Sequence, residues 1–111
     1  MTEIRFTEAF SRRLKKLRKR YRQIQTDLQP IVHELEQGNF VGDQVPGTTF
    51  VVLKVRARNS DIPTGKSGGY RIIYQVVSSD QVLLLLIYAK SDQADVSLAE
   101  IKSVIVQELD D

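Results

Sequence analysis

The sequence contains no cysteine, no tryptophan and only one histidine, His33, among its 111 residues. The lack of cysteine excludes a disulfide framework, a thiolate metal site and a cysteine nucleophile, and a single histidine excludes paired-histidine metal motifs. No run approaches the roughly 18 apolar residues of a membrane-spanning helix, and the N-terminus lacks the apolar core of a signal peptide. The expectation is a cytoplasmic protein that uses neither a membrane, nor a metal, nor another cofactor.

The length predicts one domain, 1–111, with a core of its own. The formal net charge of +2 hides a segregation of charge along the chain. Residues 1–76 carry 14 lysines and arginines against 7 acidic residues, whereas residues 77–111 carry 2 against 7. A basic body of this kind indicates a polyanionic partner such as RNA or DNA.

The N-terminal third predicts a short strand followed by two helices. Glu3–Phe6 alternates polar and apolar residues, and Thr7 stands where it can cap a helix. Apolar residues then recur at helical spacing. A second helix is expected to begin near Thr26, which has a capping-box partner three residues later, and to end at the glycine cap Gly38.

Eight of the eleven residues in 12–22 are lysine or arginine. Such a run usually forms the solvated face of an amphipathic helix. An anionic membrane surface is a weaker alternative, because the helix has no tryptophan and needs its apolar residues for the core. Eight positive charges with no acid among them exceed what a solvated face requires. They predict a salt-sensitive, sequence-neutral contact with RNA phosphates, with Arg18, Lys19 and Arg22 as the candidate residues.

The rest of the chain predicts three strands and a closing helix. Thr48–Arg58 is rich in β-branched and aromatic residues, Tyr70–Ser78 alternates, and Val82–Lys90 has no polar face. A short polar turn makes the last two strands a hairpin, and Ser97 with Glu100 matches a capping box. The predicted order is β-α-α-β-β-β-α. It describes an α+β fold in which an N-terminal helical hairpin and a C-terminal helix pack on an antiparallel sheet.

Lysine and arginine side chains share one face of the first long strand. Alternation places Lys54, Arg56 and Arg58 together on an accessible face. The opposite face, with Val55 and Ala57, belongs to the core. Three cations at this spacing repel one another, and a bound anion would relieve the repulsion. The alternative is an ordinary solvated face with edge lysines that oppose aggregation.

Two further segments carry ionisable residues. The loop Gly65–Gly69 contains Gly-Lys-Ser but lacks the earlier glycine and the following helix of a nucleotide-binding loop, so that motif is rejected. The loop carries Lys66 and leads to Arg71, which lies in an otherwise apolar strand and needs an acidic partner or a ligand. Tyr88 and Lys90, at the end of the most apolar strand, form either the edge of an active site or a surface phenol and an exposed lysine.

Three segments together, Lys54–Arg56, Gly65–Tyr74 and Leu86–Asp92, resemble the RelE/HigB branch of the RelE/ParE toxin superfamily. The similarity extends over nearly the whole chain. It implies a RelE-like microbial RNase-type fold and the toxin of a type II toxin–antitoxin pair. Such toxins enter the ribosomal A site and cut mRNA there, and a cognate antitoxin protein silences them.

The resemblance also implies roles for individual residues. Lys54 and Arg56 would hold the scissile phosphate or take part in proton transfer. Arg71 would stabilise the charge of the transition state, which a cluster of cations can do without a metal. Tyr88 or Lys90 would complete the site.

Other positions are implied as RNA contacts or depart from the family pattern. Lys66 and Arg58 would bind the RNA. Some relatives have an arginine where this chain has Ser91 and a catalytic tyrosine where it has Ser97, and neither serine can do that work. The general acid is therefore unassigned, and the candidates are Tyr74, Tyr88 and Arg58.

The main expectation is a ribosome-dependent mRNA endoribonuclease that works without a metal. A ParE-like inhibitor of DNA gyrase without nuclease activity is the alternative, and a non-catalytic RNA-binding relative is a third. The set Lys54, Arg56 and Arg71 favours the nuclease, since a gyrase inhibitor has no need of it.

Overall fold

A computed structural model describes residues 1–62 and 68–109. Its elements are β1 (Glu3–Phe6), α1 (Glu8–Arg20), α2 (Ile24–Glu36), β2 (Asp43–Gln44), β3 (Val52–Ala57), β4 (Tyr70–Ser78), β5 (Gln81–Ala89) and α3 (Leu98–Leu109). The α+β class and the order of the predicted elements are confirmed. β2 is an addition that is too short, at two residues, to leave a sequence pattern. No helix in the described ranges has both the length and the apolar character needed to cross a bilayer.

The strands form one mixed sheet in the order β1-β5-β4-β3-β2. β4 pairs antiparallel with β3 and with β5, and Ser78 lies opposite Gln81 across the predicted hairpin turn. β1 instead runs parallel to β5, with Glu3 opposite Gln81 and Phe6 opposite Leu84. The prediction of a purely antiparallel sheet is therefore wrong at this edge. Parallel pairing requires a long connection between the two strands, and the intervening helices and strands provide it.

α1 begins at Thr7, as predicted. The Thr7 hydroxyl accepts a hydrogen bond from the Phe10 amide at 2.9 Å and donates one to the Leu85 carbonyl at 2.8 Å. The same side chain thus caps the helix and ties it to β5. α1 then runs in the direction of β5 as far as Arg20, whose guanidinium donates to both carboxylate oxygens of Asp92.

α2 returns along the same side of the molecule and completes the helical hairpin. At its end the Thr2 amide, just before β1, donates to the Glu36 carbonyl at 2.9 Å. The predicted glycine cap is confirmed, because Gly38 has a φ of 83° and its amide donates to the Leu35 carbonyl.

The start of α2 differs from the prediction. The helix begins at Ile24 and not near Thr26, which lies inside it. The Gln23 amide donates to the Asp61 carboxylate at 2.8 Å, and no side chain of the helix itself caps this end. A carboxylate from a distant loop therefore satisfies the amide, and this is a contact that local spacing does not encode.

Helices cover both faces of the sheet. α1 and α2 pack on one face, and α3 packs on part of the other face. The first core includes Leu17, Leu28, Tyr70, Ile72 and Ile87. The second core includes Val52, Ile73, Leu86, Ile101 and Ile105. β5 contributes to both cores, as its lack of a polar face predicts, and each large aliphatic side chain buried there stabilises the fold by roughly 1.5–3 kcal/mol.

An irregularity in the pairing of β4 with β5 decides which side chains of β5 face α3. Ile73 lies opposite Leu86, but the next residue, Tyr74, lies opposite Leu84. Leu85 is the additional residue, and both Leu85 and Leu86 lie in the core beneath α3. The residues after Leu85 therefore face the opposite side of the sheet from the side that strict alternation along the whole strand predicts.

Candidate functional site

Four of the predicted site residues come together on the α3 face of the sheet. Arg56 of β3 lies directly opposite Arg71 of β4, and Arg71 lies directly opposite Tyr88 of β5. These three residues form a row across three strands. Lys54 lies in the next row, opposite Ile73. The strands thus bring together residues that are up to 34 positions apart in the chain.

The accessible part of this face is smaller than the sequence predicts. Val52 shares the face with Lys54 and Arg56, yet it is fully buried beneath α3 together with Ile73. Lys54 is half-buried and Arg56 is exposed. The prediction of an open strand surface is corrected accordingly: α3 closes one end of the site and leaves the other end open to a ligand.

Two arginines face each other across the antiparallel pair of β3 and β4. Within residues 1–62 and 68–109, neither Arg56 nor Arg71 makes an ion pair with a carboxylate. Arg71 is half-buried, and its guanidinium donates to the Tyr70 carbonyl at 3.3 Å. Like charges that lie directly opposite destabilise a sheet. An anion bound between the two guanidinium groups would offset this cost.

Asp95, in the loop between β5 and α3, joins two site residues from different strands. Its Oδ1 atom accepts hydrogen bonds from the Lys54 ammonium at 3.1 Å, the Tyr88 hydroxyl at 3.2 Å and the Val96 amide at 2.8 Å. The sequence reasoning did not identify Asp95, because it lies in an irregular segment with no periodicity. The available signal was an acidic residue a few positions after the site tyrosine.

The environment of Asp95 and Tyr88 moves their pKa values apart. Burial, followed by the charge of Asp95 and their shared hydrogen bond, raises the pKa of Tyr88 to about 12, although Arg71 lowers it. Burial alone would raise the pKa of Asp95, but the hydrogen bonds from Lys54 and Val96 and the charge of Lys54 outweigh burial, so that the net shift is downward. At neutral pH the pair is therefore a protonated phenol that donates to an ionised carboxylate.

Lys90 holds the loop that carries Asp95. Its ammonium donates to the Ala94 carbonyl at 2.8 Å, and the Gln93 side-chain amide donates to the Asp95 carbonyl at 2.9 Å. The Lys90 backbone amide donates to the Gly69 carbonyl. These contacts give Lys90 a bracing function in the fold, and its direct action on a substrate stays a prediction.

Gly69 explains part of the Gly-Gly-Tyr-Arg motif. Its φ is 94°, and a Cβ atom there would come within 2.5 Å of the Ala57 carbonyl oxygen. A glycine is therefore needed for β4 to begin this close to the end of β3, which places Arg71 beside Arg56. The preceding residues 63–67 lie outside the described part of the chain, so the predicted RNA contact of Lys66 stays a prediction.

The other candidates for the general acid lie elsewhere. Tyr74 is on the α1/α2 face of the sheet, where its hydroxyl donates to the Val41 carbonyl and burial raises its pKa to about 12. It is therefore removed from the candidates. Ser97 caps α3 as predicted, because its hydroxyl accepts from the Glu100 amide at 3.1 Å. Arg58 is exposed one residue beyond the end of β3.

The basic residues of α1 and the turn after it fall into two groups. Ion pairs engage three of them, namely Arg12 with Glu8, Arg13 with Glu100, and Arg20 with Asp92. Arg18, Lys19 and Arg22 are exposed and form no ion pair with any residue of the described ranges, and the same holds for Lys15 and Lys16. The predicted phosphate contact is thus available to Arg18, Lys19 and Arg22.

A groove of about 560 Å³ lies between α1 and the end of β5. Lys16 and Arg20 line it on the helix side, and Tyr88 and Gln93 line it on the sheet side. The groove therefore connects the basic helix with Tyr88, which lies at the edge of the sheet cluster formed by Lys54, Arg56, Arg71 and Tyr88. Among the residues that the structure describes, no three histidine, aspartate or glutamate side chains are grouped closely enough to bind a metal ion together.

A search of curated proteins found no match. Residues 4–94 match the family described as ParE toxin of type II toxin-antitoxin system, parDE. The matched range runs from the second residue of β1 through the end of β5, includes all four residues of the sheet cluster, and ends just before Asp95. The match supports the wider superfamily and does not distinguish its RelE/HigB branch. The chain therefore belongs to the ParE toxin family of type II toxin–antitoxin systems, a family that implies a cognate antitoxin as its partner.

Proposed function

We propose that this toxin is an endoribonuclease that cleaves mRNA on the ribosome and thereby inhibits translation. The observation that carries the proposal is the pair Arg56 and Arg71, which lie directly opposite each other with no carboxylate partner in the described ranges, beside Lys54 and Tyr88. A protein that only needed a stable sheet would lose nothing by replacing either arginine. A phosphodiester would use both.

RNA cleavage by the neighbouring 2′-hydroxyl makes three demands on the protein. The 2′-hydroxyl must lose a proton, the charge on the pentacoordinate phosphate must be stabilised, and the 5′-oxygen must gain a proton. Arg56 and Arg71 match the second demand, because guanidinium groups bind phosphate oxygens in a bidentate manner. Lys54 and Tyr88 carry exchangeable protons at the same site and match the other two.

The exposed cations of α1 and the turn after it are suited to a reaction that takes place on the ribosome. Arg18, Lys19 and Arg22 are exposed cations, and lysine and arginine side chains of this kind contact phosphates without reading the sequence. The ribosome presents a dense array of such phosphates. The helix therefore supplies attraction to the ribosome, and the sheet cluster acts on the mRNA.

An inhibitor of DNA gyrase is the second candidate, and the family match favours it. In that case the exposed positive surface would serve binding to the gyrase complex, and Arg56 and Arg71 would take part in no bond cleavage. The two candidates differ in what they leave intact, since a nuclease breaks mRNA and a gyrase inhibitor does not.

Primer extension on abundant mRNAs after induced expression, combined with a supercoiling assay of purified gyrase, distinguishes the candidates. We expect new mRNA 5′ ends inside coding regions, early arrest of protein synthesis and undisturbed supercoiling. Arg56→Ala is expected to lose cleavage while keeping its circular dichroism spectrum, and Arg5→Ala, at an exposed position of β1, is the matched control that keeps cleavage. Intact mRNA together with inhibited supercoiling would overturn the proposal in favour of the second candidate.

A further inference from the structure

Asp95 is the one carboxylate bound to the cluster of site residues in the described ranges, and its placement extends the proposed nuclease function, on which this inference rests. We infer that Asp95 acts through Tyr88 and Lys54, both as a positioning residue and as a proton relay that couples the two proton transfers of the reaction. It orients Tyr88 to accept the proton of the 2′-hydroxyl, and it holds Lys54 to donate a proton to the leaving 5′-oxygen.

The first support is the convergence of two distant side chains on one atom. Lys54 belongs to β3 and Tyr88 to β5, so their backbones are separated by β4 and lie about 10 Å apart. Both polar atoms nevertheless come within about 3.2 Å of Asp95 Oδ1. The carboxylate therefore determines where the ammonium and the hydroxyl stand relative to each other.

The second support is that the carboxylate is held in place from its own side. The Val96 amide donates to the same oxygen at 2.8 Å. Gln93 and Lys90 each donate to a backbone carbonyl of the loop, at Asp95 and at Ala94 respectively. A loop tied at three points positions its carboxylate more precisely than an exposed ion pair between free side chains does.

The third support is the direction of the hydrogen bond between Tyr88 and Asp95. The carboxylate is ionised and can only accept, so the Tyr88 proton points at Asp95. The phenol oxygen accepts no hydrogen bond within the described ranges and keeps lone pairs for another donor, although Tyr88 is only 2% exposed and packs in the core beneath α3. A 2′-hydroxyl placed against Tyr88 would be that donor.

The reaction then balances within the site. The 2′-oxygen attacks phosphorus while its proton passes to the Tyr88 oxygen, and the original Tyr88 proton passes to Asp95. The bond between phosphorus and the 5′-oxygen breaks, and that oxygen takes a proton from the Lys54 ammonium. The products are a 2′,3′-cyclic phosphate and a 5′-hydroxyl. Protonated Asp95 and neutral Lys54 remain within hydrogen-bond distance, and one proton transfer between them restores the starting state.

The variant Asp95→Asn tests this role, because an amide oxygen still accepts hydrogen bonds but cannot take up a proton. We expect the single-turnover rate of cleavage of ribosome-bound mRNA to fall at least about 100-fold, which is within the range of a lost acid–base function. Binding of an mRNA with a 2′-deoxy nucleotide at the scissile position should change by less than about 3-fold. Asp80→Asn, in the hairpin turn about 25 Å away along β5, is the matched control that keeps the wild-type rate.

A double variant gives a second measurement, whose result would not be expected if the role of Asp95 were only structural. If Tyr88 and Asp95 act as one unit, Tyr88→Phe combined with Asp95→Asn is no more than about 3-fold slower than the slower single variant. Losses that multiply would contradict the coupling. Thermal unfolding of each variant shows whether the fold is kept.

The outcomes separate this inference from the proposed function. Cleavage by Asp95→Asn at the wild-type rate, with cleavage by the wild type confirmed, would overturn the role of Asp95 and leave the nuclease function standing. If the wild type itself leaves ribosome-bound mRNA intact, the nuclease function fails and the role of Asp95 fails with it.

Discussion

The molecule carries positive charge in two regions that differ in how the charge is held. The basic helix α1 and the turn after it present long, exposed side chains on successive helical turns, and part of this charge is neutralised by carboxylates. The sheet cluster has fewer cations, but neighbouring strands place them in fixed register and α3 covers one end of the cluster. Under the proposed function the helix would provide attraction to RNA, and the sheet cluster would position it.

The acidic C-terminal third takes part in both regions. Three of the four ion pairs found within the described ranges join a cation from residues 1–76 to a carboxylate from residues 77–111. On α1 these pairs reduce the positive charge that is left without a carboxylate partner. At the sheet cluster the pair of Lys54 with Asp95 instead organises the site. The same kind of contact thus weakens one region and completes the other.

The largest expected effect is that of Arg71→Ala, in the sheet cluster, on the rate of cleavage. Because Arg71 lies in the middle of the row and would bind the charge that develops on phosphate, the single-turnover cleavage rate should fall about 100- to 1,000-fold. Arg5→Ala removes an arginine from the opposite end of the sheet and serves as the control. If the cleavage rate of a folded Arg71→Ala protein fell by less than 10-fold, the proposed difference between the sheet cluster, which acts on the phosphate, and the helix, which only attracts RNA, would be wrong.

A charge reversal on the helix side should affect binding and spare chemistry. Replacing Arg18, Lys19 and Arg22 by glutamate is expected to weaken ribosome association about 100-fold at low salt and to reduce its salt dependence by about two to three units of slope. The cleavage rate of bound complexes should change little. Unchanged co-sedimentation with ribosomes at low salt would refute the role of this surface. The control reverses two exposed cations elsewhere, Arg5 and Lys102.

An alkaline titration compares a tyrosine of the site with a tyrosine of the core. Tyr88 and Tyr74 both have a pKa near 12, above the usual value near 10. Each raised pKa contributes stability that is fully present below pH 10 and is lost as the pH rises from 10 to 12, by about 3 kcal/mol for each tyrosine. Phenolate absorbance should show Asp95→Asn lowering the pKa of Tyr88 and leaving that of Tyr74, which depends on burial alone. A shift of both would indicate unfolding.

The smallest expected effect comes from releasing charge on the helix. Asp92→Asn frees Arg20 from its bidentate partner, so ribosome binding should become about 2- to 3-fold tighter at low salt. The lost pair is partly exposed, and unfolding should become easier by less than about 1 kcal/mol. Fluorescence anisotropy with RNA and chemical denaturation measure the two quantities. Weaker binding would show that Arg20 needs Asp92 to reach the RNA.

The parts of the fold that the sequence predicts are those controlled by local contacts. The strands Glu3–Phe6 and Tyr70–Ser78 have the predicted bounds, and the caps at Thr7, Gly38 and Ser97 are where spacing places them. Each of these features depends on neighbours within a few residues. The start of α2 departs from the prediction because its partner, a carboxylate in a distant loop, is absent from the local pattern.

The grouping of cations on the sheet was predictable from the sequence, and the acid that contacts them was not. Alternation along β3 and the loop before Arg71 point to the arginines and to Lys54, since a charged residue within an apolar strand stands out in the sequence. Asp95 is one acid among several near the C-terminus, and its place a few positions after Tyr88 does not distinguish it from Asp92. Its contacts with Lys54 and Tyr88 form only when the loop after β5 folds back over the sheet.

By itself the sequence determined the class of the fold, the basic character of the first helix and which strands carry cations, because periodicity, capping and charge are properties of short segments. The tertiary structure alone decided that β1 runs parallel to β5, that the extra residue Leu85 turns Tyr88 toward α3, and that Asp95 binds both Lys54 and Tyr88. These features join residues far apart in the chain. They arise from packing the sheet between two layers of helices, which requires the whole chain at once.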